Sequence, residues 1–263
     1  MIDNFTICVL LYGDHFDLAQ RCLGSLLRDG AIPASHLRIG LNAVCDRSRE
    51  LAYQAAPGNV WEYNENCHKY PVMREMIHGI SPIQTPYTMW FDDDSYLEHP
   101  SLREWLVAVD ASMQGADMLG SLYSIKWQGK QREFVRSQPW YAGKDPVTRG
   151  EIRFATGGWW TLRSDLLYRF DYPWTFLDHR GGDAMLGELC HQQNLRLKHF
   201  RTGVKINADA SGRESKAKRR GFDQLPIGVD FDPGVAAALN TATSTPPGLL
   251  AAVPKPRSRI IEL

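Results

Sequence analysis

The sequence predicts a single open α/β domain with a mixed sheet and an irregular C-terminal tail. Three observations carry that prediction. The first apolar segment is almost unbroken, as in a strand covered on both faces. Strand-like and helix-like patterns then alternate through the first half of the chain, the signature of an open sheet that takes ligands at its strands' carboxyl ends. With 263 residues, 43% of them hydrophobic and 11% aromatic, the chain is long enough to bury a substantial core.

Phe5–Tyr12 (FTICVLLY) is rich in β-branched and aromatic side chains and reads as the first strand. Gly13 and Asp14 break it, and Asp14 is expected to cap a helix with Asp17 as its partner three residues on. Phe16, Ala19, Cys22, Leu23, Leu26 and Leu27 then recur at helical spacing. Residues 37–41 and 60–63 read as the second and third strands. Residues 72–80 place Met73, Met76, Ile77 and Ile80 on one helical face, and residues 88–91 form a short fourth strand ending in three carboxylates. Ser101 and Glu104 make an S-x-x-E capping box ahead of a helix carrying Trp105, Leu106, Val109 and Met113. Residues 118–125 are a further strand.

The second half is less regular. Residues 127–149 mix Gly, Pro and charge, as in a hairpin or long loop; residues 151–155 read as a strand, 164–169 as a short helix, 183–193 as a longer one and 195–200 as an edge strand. From residue 240 the composition turns to Thr, Ser, Ala and Pro, which suits a tail.

Thirty Lys plus Arg balance thirty Asp plus Glu, which argues against a surface built throughout for nucleic acid or anionic membrane. No apolar run approaches the roughly 20 residues that span a bilayer, and no secretory signal pattern is visible. The five cysteines are scattered without a C-x-x-C pair, so reduced thiols and a cytoplasmic setting are expected. H-E-x-x-H, G-x-S-x-G and Walker-type patterns are absent, which disfavours the chemistries they carry.

The strongest chemical signal is FDDDSY, residues 91–96. Along an extended backbone Asp92 and Asp94 point one way and Asp93 the other. Two carboxylates at the mouth of a sheet suit a small hard cation such as Mg²⁺ or Mn²⁺, which completes its shell with substrate phosphate and water. Taken alone, the same residues make a solvated acidic turn. The segment FATGGWWTLRSDLL, residues 154–167, offers glycines for close backbone approach and two tryptophans that can stack on sugar rings or fill the core. Adjacent on a strand, Trp159 and Trp160 should face opposite ways, so one can be core and the other pocket. In DHRGGDAMLGEL, residues 178–189, Asp183 stands at a helix start, where a plain N-cap is the structural alternative to a chemical role.

In their order and spacing these features resemble a glycosyltransferase of the A fold, most similar to the large family 2 group. The resemblance covers about residues 5–200 and rests on Tyr12-Gly13-Asp14, Asp46, Asp92-x-Asp94 and the Gly-Gly-aromatic and Gly-Gly-Asp segments. It implies a Rossmann-like mixed sheet in a catalytic domain of residues 1–210, with a nucleotide-binding half up to about 125 and an acceptor-side half beyond it. Residues 211–239 would be a basic loop and extension, and 240–263 the tail. It also implies a nucleotide-diphosphate sugar donor and a divalent cation.

By the same resemblance Tyr12 lies against the base. Asn42 or Asp46 stands where relatives place an acidic base contact, although both also suit turns. Arg74 would approach the diphosphate, whereas Lys69 reads as an ordinary exposed helix charge. Asp92 and Asp93 would contact the nucleotide sugar, and Asp92 and Asp94 the metal, with Asp209 a further candidate metal ligand. Gly158, Trp159 and Trp160 would line the sugar and acceptor pocket. Asp183 would be the catalytic base of an inverting transfer, with Asp178 and then Glu188 as alternatives. The acceptor, whether glycan, protein, small molecule or modified nucleic acid, is not specified. The basic run RESKAKRR, residues 213–220, could close over the diphosphate, contact a polyanion or form a solvated loop. Two rival functions are a nucleotidyltransferase, which would carry a Gly-rich basic loop where Tyr12-Gly13-Asp14-His15 stands, and a non-catalytic sugar-nucleotide or glycan-binding module.

Overall fold

The computed structural model describes residues 2–79, 81–126, 135–144, 151–175, 177 and 181–206. Residues 127–134 and 145–150, Asp178, Asp209, the basic run at 213–220 and the tail at 240–263 lie outside the described residues.

The first half alternates as its pattern predicts, with one further helix, α2: β1 (Phe5–Tyr12), α1 (Phe16–Leu27), β2 (Leu37–Asn42), α2 (Asp46–Ala55), β3 (Val60–Tyr63), α3 (Lys69–His78) and β4 (Tyr87–Asp92). β5 (Tyr96–Leu97), α4 (Leu102–Met113), β6 (Met118–Lys126), β7 (Glu151–Arg163) and α5 (Ser164–Arg169) follow, then α6 (Gly182–Gln192), β8 (Leu197–His199) and β9 (Val204–Lys205). Seven strands form one sheet in the order β3-β2-β1-β4-β7-β6-β8, and β5 pairs with β9 beside it. The β3, β2, β1 and β4 strands are mutually parallel, whereas β7 runs antiparallel to both β4 and β6. Chain order reverses at β1, with β2 on one side and β4 on the other. The carboxyl ends of β1 and β4 are therefore the switch point, the crevice position at which open α/β sheets hold ligands.

The sheet is buried on both faces, and β1 shows why its pattern is unbroken. Cys8 and Leu10 enter one core with Trp61, Met76, Trp90, Trp160 and Leu186. Ile7, Val9 and Leu11 enter the other with Leu23, Ile39, Phe91, Trp105 and Trp159. Each fully buried large apolar side chain contributes about 1.5–3 kcal/mol. Trp90 and Trp160 stack across the β4–β7 pair at 6.1 Å and 14°, while Trp105, Trp159 and Phe200 cluster on the opposite face.

Several boundaries differ from expectation. α1 begins at Phe16 with His15 as N-cap and no side-chain cap bond, so Asp14 does not cap it. Ser101 does cap α4, its Oγ accepting from the Glu104 N–H at 3.3 Å. The N–H of Ser101 donates instead to His99 Nδ1, so the reciprocal half of the box is made by a histidine. α2 did not stand out in the sequence because it buries only Ser48 and Ala52 and carries no apolar stripe. β7 continues through both glycines to Arg163, well past residue 155. α3 begins at Lys69, three residues before its apolar face, with Pro71 in its first turn where a missing N–H costs nothing. Arg38, buried in β2, fixes the other end of α3 by donating to the carbonyls of Met76 (2.5 Å) and Ser81 (2.8 Å). Among the described residues no helix is long and apolar enough to cross a membrane.

Candidate active site

The acidic triplet stands at the crevice. β4 ends at Asp92, and a turn closed by the Ser95 N–H on the Asp92 carbonyl (2.9 Å) carries Asp93 and Asp94. The turn ends the strict alternation expected of an extended chain, and each carboxylate has its own environment. Asp93 is buried, its N–H donates to the Leu10 carbonyl (3.0 Å), and its Oδ2 accepts from the Tyr12 N–H (3.0 Å). It thus ties the tip of β4 to that of β1. Asp92 accepts from Trp90 Nε1 at Oδ1 and from Lys69 Nζ at Oδ2, both at 2.8 Å. Asp94 is 8% exposed, with the Ser95 hydroxyl 3.4 Å from its Oδ1.

Asn42, at the tip of β2, is buried and turned to structural use. Its Oδ1 accepts from the Cys67 N–H (2.8 Å) and its Nδ2 donates to Asn66 Oδ1 (3.0 Å). Asn66 accepts in turn from the His68 N–H (3.0 Å), and its Nδ2 lies 3.5 Å from the Tyr12 hydroxyl. This network holds the loop before α3, including His68 at a φ of 65°, a backbone region costly for a residue with a Cβ. Asp46 is largely exposed at the start of α2 and pairs with Arg49, which also reaches Glu62 (2.5 Å).

The ordered loop delivers Lys69 into the crevice. Its side chain is 11% exposed, and its ammonium donates to Asp92 Oδ2 and to the Gly157 carbonyl at 2.7 Å. Gly157 is available because the β6–β7 register shifts between Gly120 and Leu122. Gly120 faces Trp160 and Leu122 faces Ala155, so β7 carries three more residues than β6 there. Such an insertion re-aims the backbone. A Cβ placed on Gly157 would lie 2.8 Å from Lys69 Nζ and 2.7 and 2.9 Å from the two Asp183 oxygens. Lys69 and Asp183 therefore flank one gap at Gly157 that is too tight for a methyl group, and Asp92 reaches it through Lys69.

Asp183 is the second residue of α6, whose start presses on Tyr70; a Cβ on Gly182 would run into that ring. The Tyr70 hydroxyl donates to Asp183 Oδ1 at 2.7 Å. Burial pushes the Asp183 carboxyl above the ordinary range, opposed by Lys69, the Tyr70 hydroxyl and the Gly157 N–H and reinforced by Asp92. Lys69, despite a burial effect that favours its neutral form, is held above its ordinary pKa by Asp92 and Asp183. The buried Tyr70 phenol is pushed well up, by burial first and then by Asp183.

The crevice thus gathers Tyr12, Asp92, Asp93, Asp94 and Asp183, together with Lys69 and Tyr70, which the sequence reading left on the surface or unmentioned. Pro71 was the available signal, since a first-turn proline puts both at a helix entrance beside the strand tips. Other residues are placed elsewhere. Arg74 pairs with Asp171 (2.9 Å) and donates to the carbonyls of Asp171 and Pro173 (3.2 and 2.7 Å), so its guanidinium braces a loop. Trp159 and Trp160 do face opposite ways, but both are core, at 0% and 1% exposure. Gly158 is buried within the β7 insertion. Glu188 is fully buried and accepts from Gln192 Nε2 (2.8 Å).

Among the described residues no three His, Cys, Asp or Glu side chains form a cage for a metal ion. Asp92, Asp94 and Asp183 nevertheless set three carboxylates about one buried ammonium. Such a donor set fits a hard divalent ion bound by few protein oxygens and completed by water and substrate phosphate. Asp94 and Asp92 would hold it, Asp92 in competition with Lys69.

The strand order and antiparallel β7 define the A-type glycosyltransferase fold. The mannosyltransferase PcManGT from Pyrobaculum calidifontis, solved with GDP-Man and Mn²⁺, is 13% identical, with 90% of this chain and 68% of that chain covered and a TM-score of 0.51. S. aureus TarS 1–349 is 11% identical, with 89% and 69% covered and a TM-score of 0.48. Mouse xyloside xylosyltransferase 1, in its apo form, is 14% identical, with 74% and 85% covered and a TM-score of 0.40. No protein-family model and no curated protein sequence matches the chain.

Proposed function

We propose that the chain is a glycosyltransferase moving a sugar from a nucleotide-diphosphate donor to an acceptor hydroxyl with inversion, assisted by Mn²⁺ or Mg²⁺. One observation carries this reading. The acidic strand tip and a buried, hydrogen-bonded carboxylate on another element, Asp183, are brought together by Lys69, which bonds Asp92 and the Gly157 carbonyl beside Asp183. The fold supports it, since the mannosyltransferase that shares it was solved with a nucleotide sugar and Mn²⁺.

In this reading the nucleotide base lies near Tyr12, and Asp94 and Asp92 would hold the ion, which when bound would supply charge neutralisation for the departing diphosphate. Asp183 accepts the proton of the acceptor hydroxyl as that oxygen bonds to the anomeric carbon. The bond from that carbon to the diphosphate oxygen breaks on the opposite face, and the electron pair leaves with the nucleoside diphosphate. Tyr70 aims the carboxylate, and Lys69 favours its ionised form. Five free thiols suit a reducing, cytoplasmic setting.

The test separates binding from chemistry. Calorimetry of nucleoside diphosphates with and without Mn²⁺ should show metal-dependent binding that Asp94→Ala removes. Donor turnover, read as slow hydrolysis of a nucleotide sugar, should vanish in Asp183→Asn with binding spared. Normal turnover by Asp183→Asn would overturn the base assignment. Metal-independent binding would overturn the role of the triplet.

A further inference from the structure

The lysine that the crevice buries is placed where a bound ion would compete with it. Lys69 Nζ makes its hydrogen bonds to Asp92 Oδ2 and to the Gly157 carbonyl, and lies 5.7 and 5.9 Å from the Trp90 and Tyr70 ring centres. Asp92 Oδ1 is already occupied by Trp90 Nε1. A divalent ion that takes Asp92 meets the ammonium already bonded to that carboxylate, and two cations on one carboxylate repel. The ammonium has a second carboxylate to turn to, because it and Asp183 flank the same gap, each within 3.0 Å of where a Cβ on Gly157 would lie. The Gly157 carbonyl can stay bonded through that turn.

From this geometry we propose that Lys69 is an exchangeable counter-ion: it holds Asp92 when the ion site is empty and passes to Asp183 when a divalent ion takes Asp92. The inference rests on the metal assignment made above and adds a consequence to it. Arrival of the ion at the strand tip delivers positive charge to the carboxylate proposed as base, so the two centres are coupled through one side chain. Lysine suits this task because its compact ammonium sits on a flexible stem with rotatable donors.

The experiment titrates Mn²⁺ alone, without nucleotide, into folded protein and follows the loss of the free-ion electron paramagnetic resonance signal. Lys69→Met, which removes the competing charge, should bind Mn²⁺ about tenfold more tightly than the unmodified chain. Lys69→Arg, which keeps the charge, should not. Adding Asp94→Ala to Lys69→Met should abolish the gain. Equal or weaker Mn²⁺ binding by Lys69→Met overturns the exchange. If Lys69→Met fails to fold, Lys69→Gln replaces it under the same criterion. The two failures are distinct: Mn²⁺ binding unaffected by Asp94→Ala removes the metal assignment itself, whereas binding that needs Asp94 but ignores Lys69 removes only the exchange.

Discussion

Tyr70 and Asp183 lie 113 residues apart in sequence and meet through a 2.7 Å hydrogen bond from phenol to carboxylate. Because α6 packs its first turn on the same ring, the bond fixes the carboxylate's direction as well as its charge. Tyr70→Phe should therefore lower turnover about tenfold or more, in line with the loss of a hydrogen bond to a charged group. Nucleoside diphosphate binding, measured by calorimetry, should stay unchanged; a loss of binding would move Tyr70 to the donor side.

The raised pKa of Asp183, caused first by its burial, gives a pH dependence of known sign. The base form is the ionised form, so donor turnover should rise with pH through a midpoint above the ordinary aspartate value of about 3.9. Stability runs the other way. The folded carboxyl binds a proton at a pH where the unfolded one has lost it, so the contribution of Asp183 falls as pH rises through that window. Asp183→Asn should remove both slopes, as read from a pH–rate profile and from thermal unfolding at each pH.

The parallel half of the sheet was legible because burial on both faces leaves a nearly continuous apolar run, as in β1. The acidic strand end was equally plain. Lys69 was not, because what buries it comes from β4 and β7, at separations of 23 and 88 residues that no local pattern reports. The tryptophans misled for a related reason. Their side chains are right for a sugar platform, but β7 continues through Gly157 and Gly158 and carries both into the core.

Gly157→Ala is a small change at a crowded point. The added methyl would meet Asp183 and Lys69 inside 3.0 Å, so the carboxylate or the ammonium must move. Overpacking of this kind costs about 1–3 kcal/mol. Chemical denaturation should report that loss, and donor turnover should fall by more than stability accounts for. Full turnover would show that the gap is not used.

Asp117 offers a control away from the crevice. It is buried between β6, β7 and β8, its Oδ1 accepting from Arg163 Nη1 (3.0 Å) and its Oδ2 from the Arg196 N–H (2.8 Å). Burial alone would raise its pKa, but the Arg196 N–H and the Arg163 and Arg196 guanidiniums bring it below the ordinary value. Its stabilisation is therefore present above the unfolded carboxyl's pKa and is lost as pH falls through the folded one. Asp117→Asn should cost about 1–3 kcal/mol at neutral pH. The deficit should shrink in acid, with Mn²⁺ and nucleotide binding untouched.

The three surplus residues of β7 have an engineering consequence. Excising Thr156, Gly157 and Gly158 would let Ala155 and Trp159 follow one another in step with β6, giving a continuous ladder in place of the present break. Such a shortened protein should melt later than its parent and catalyse nothing, since the carbonyl that anchors Lys69 would be gone. On the proposed function, the loose stitch in the fabric is where the chemistry would be housed.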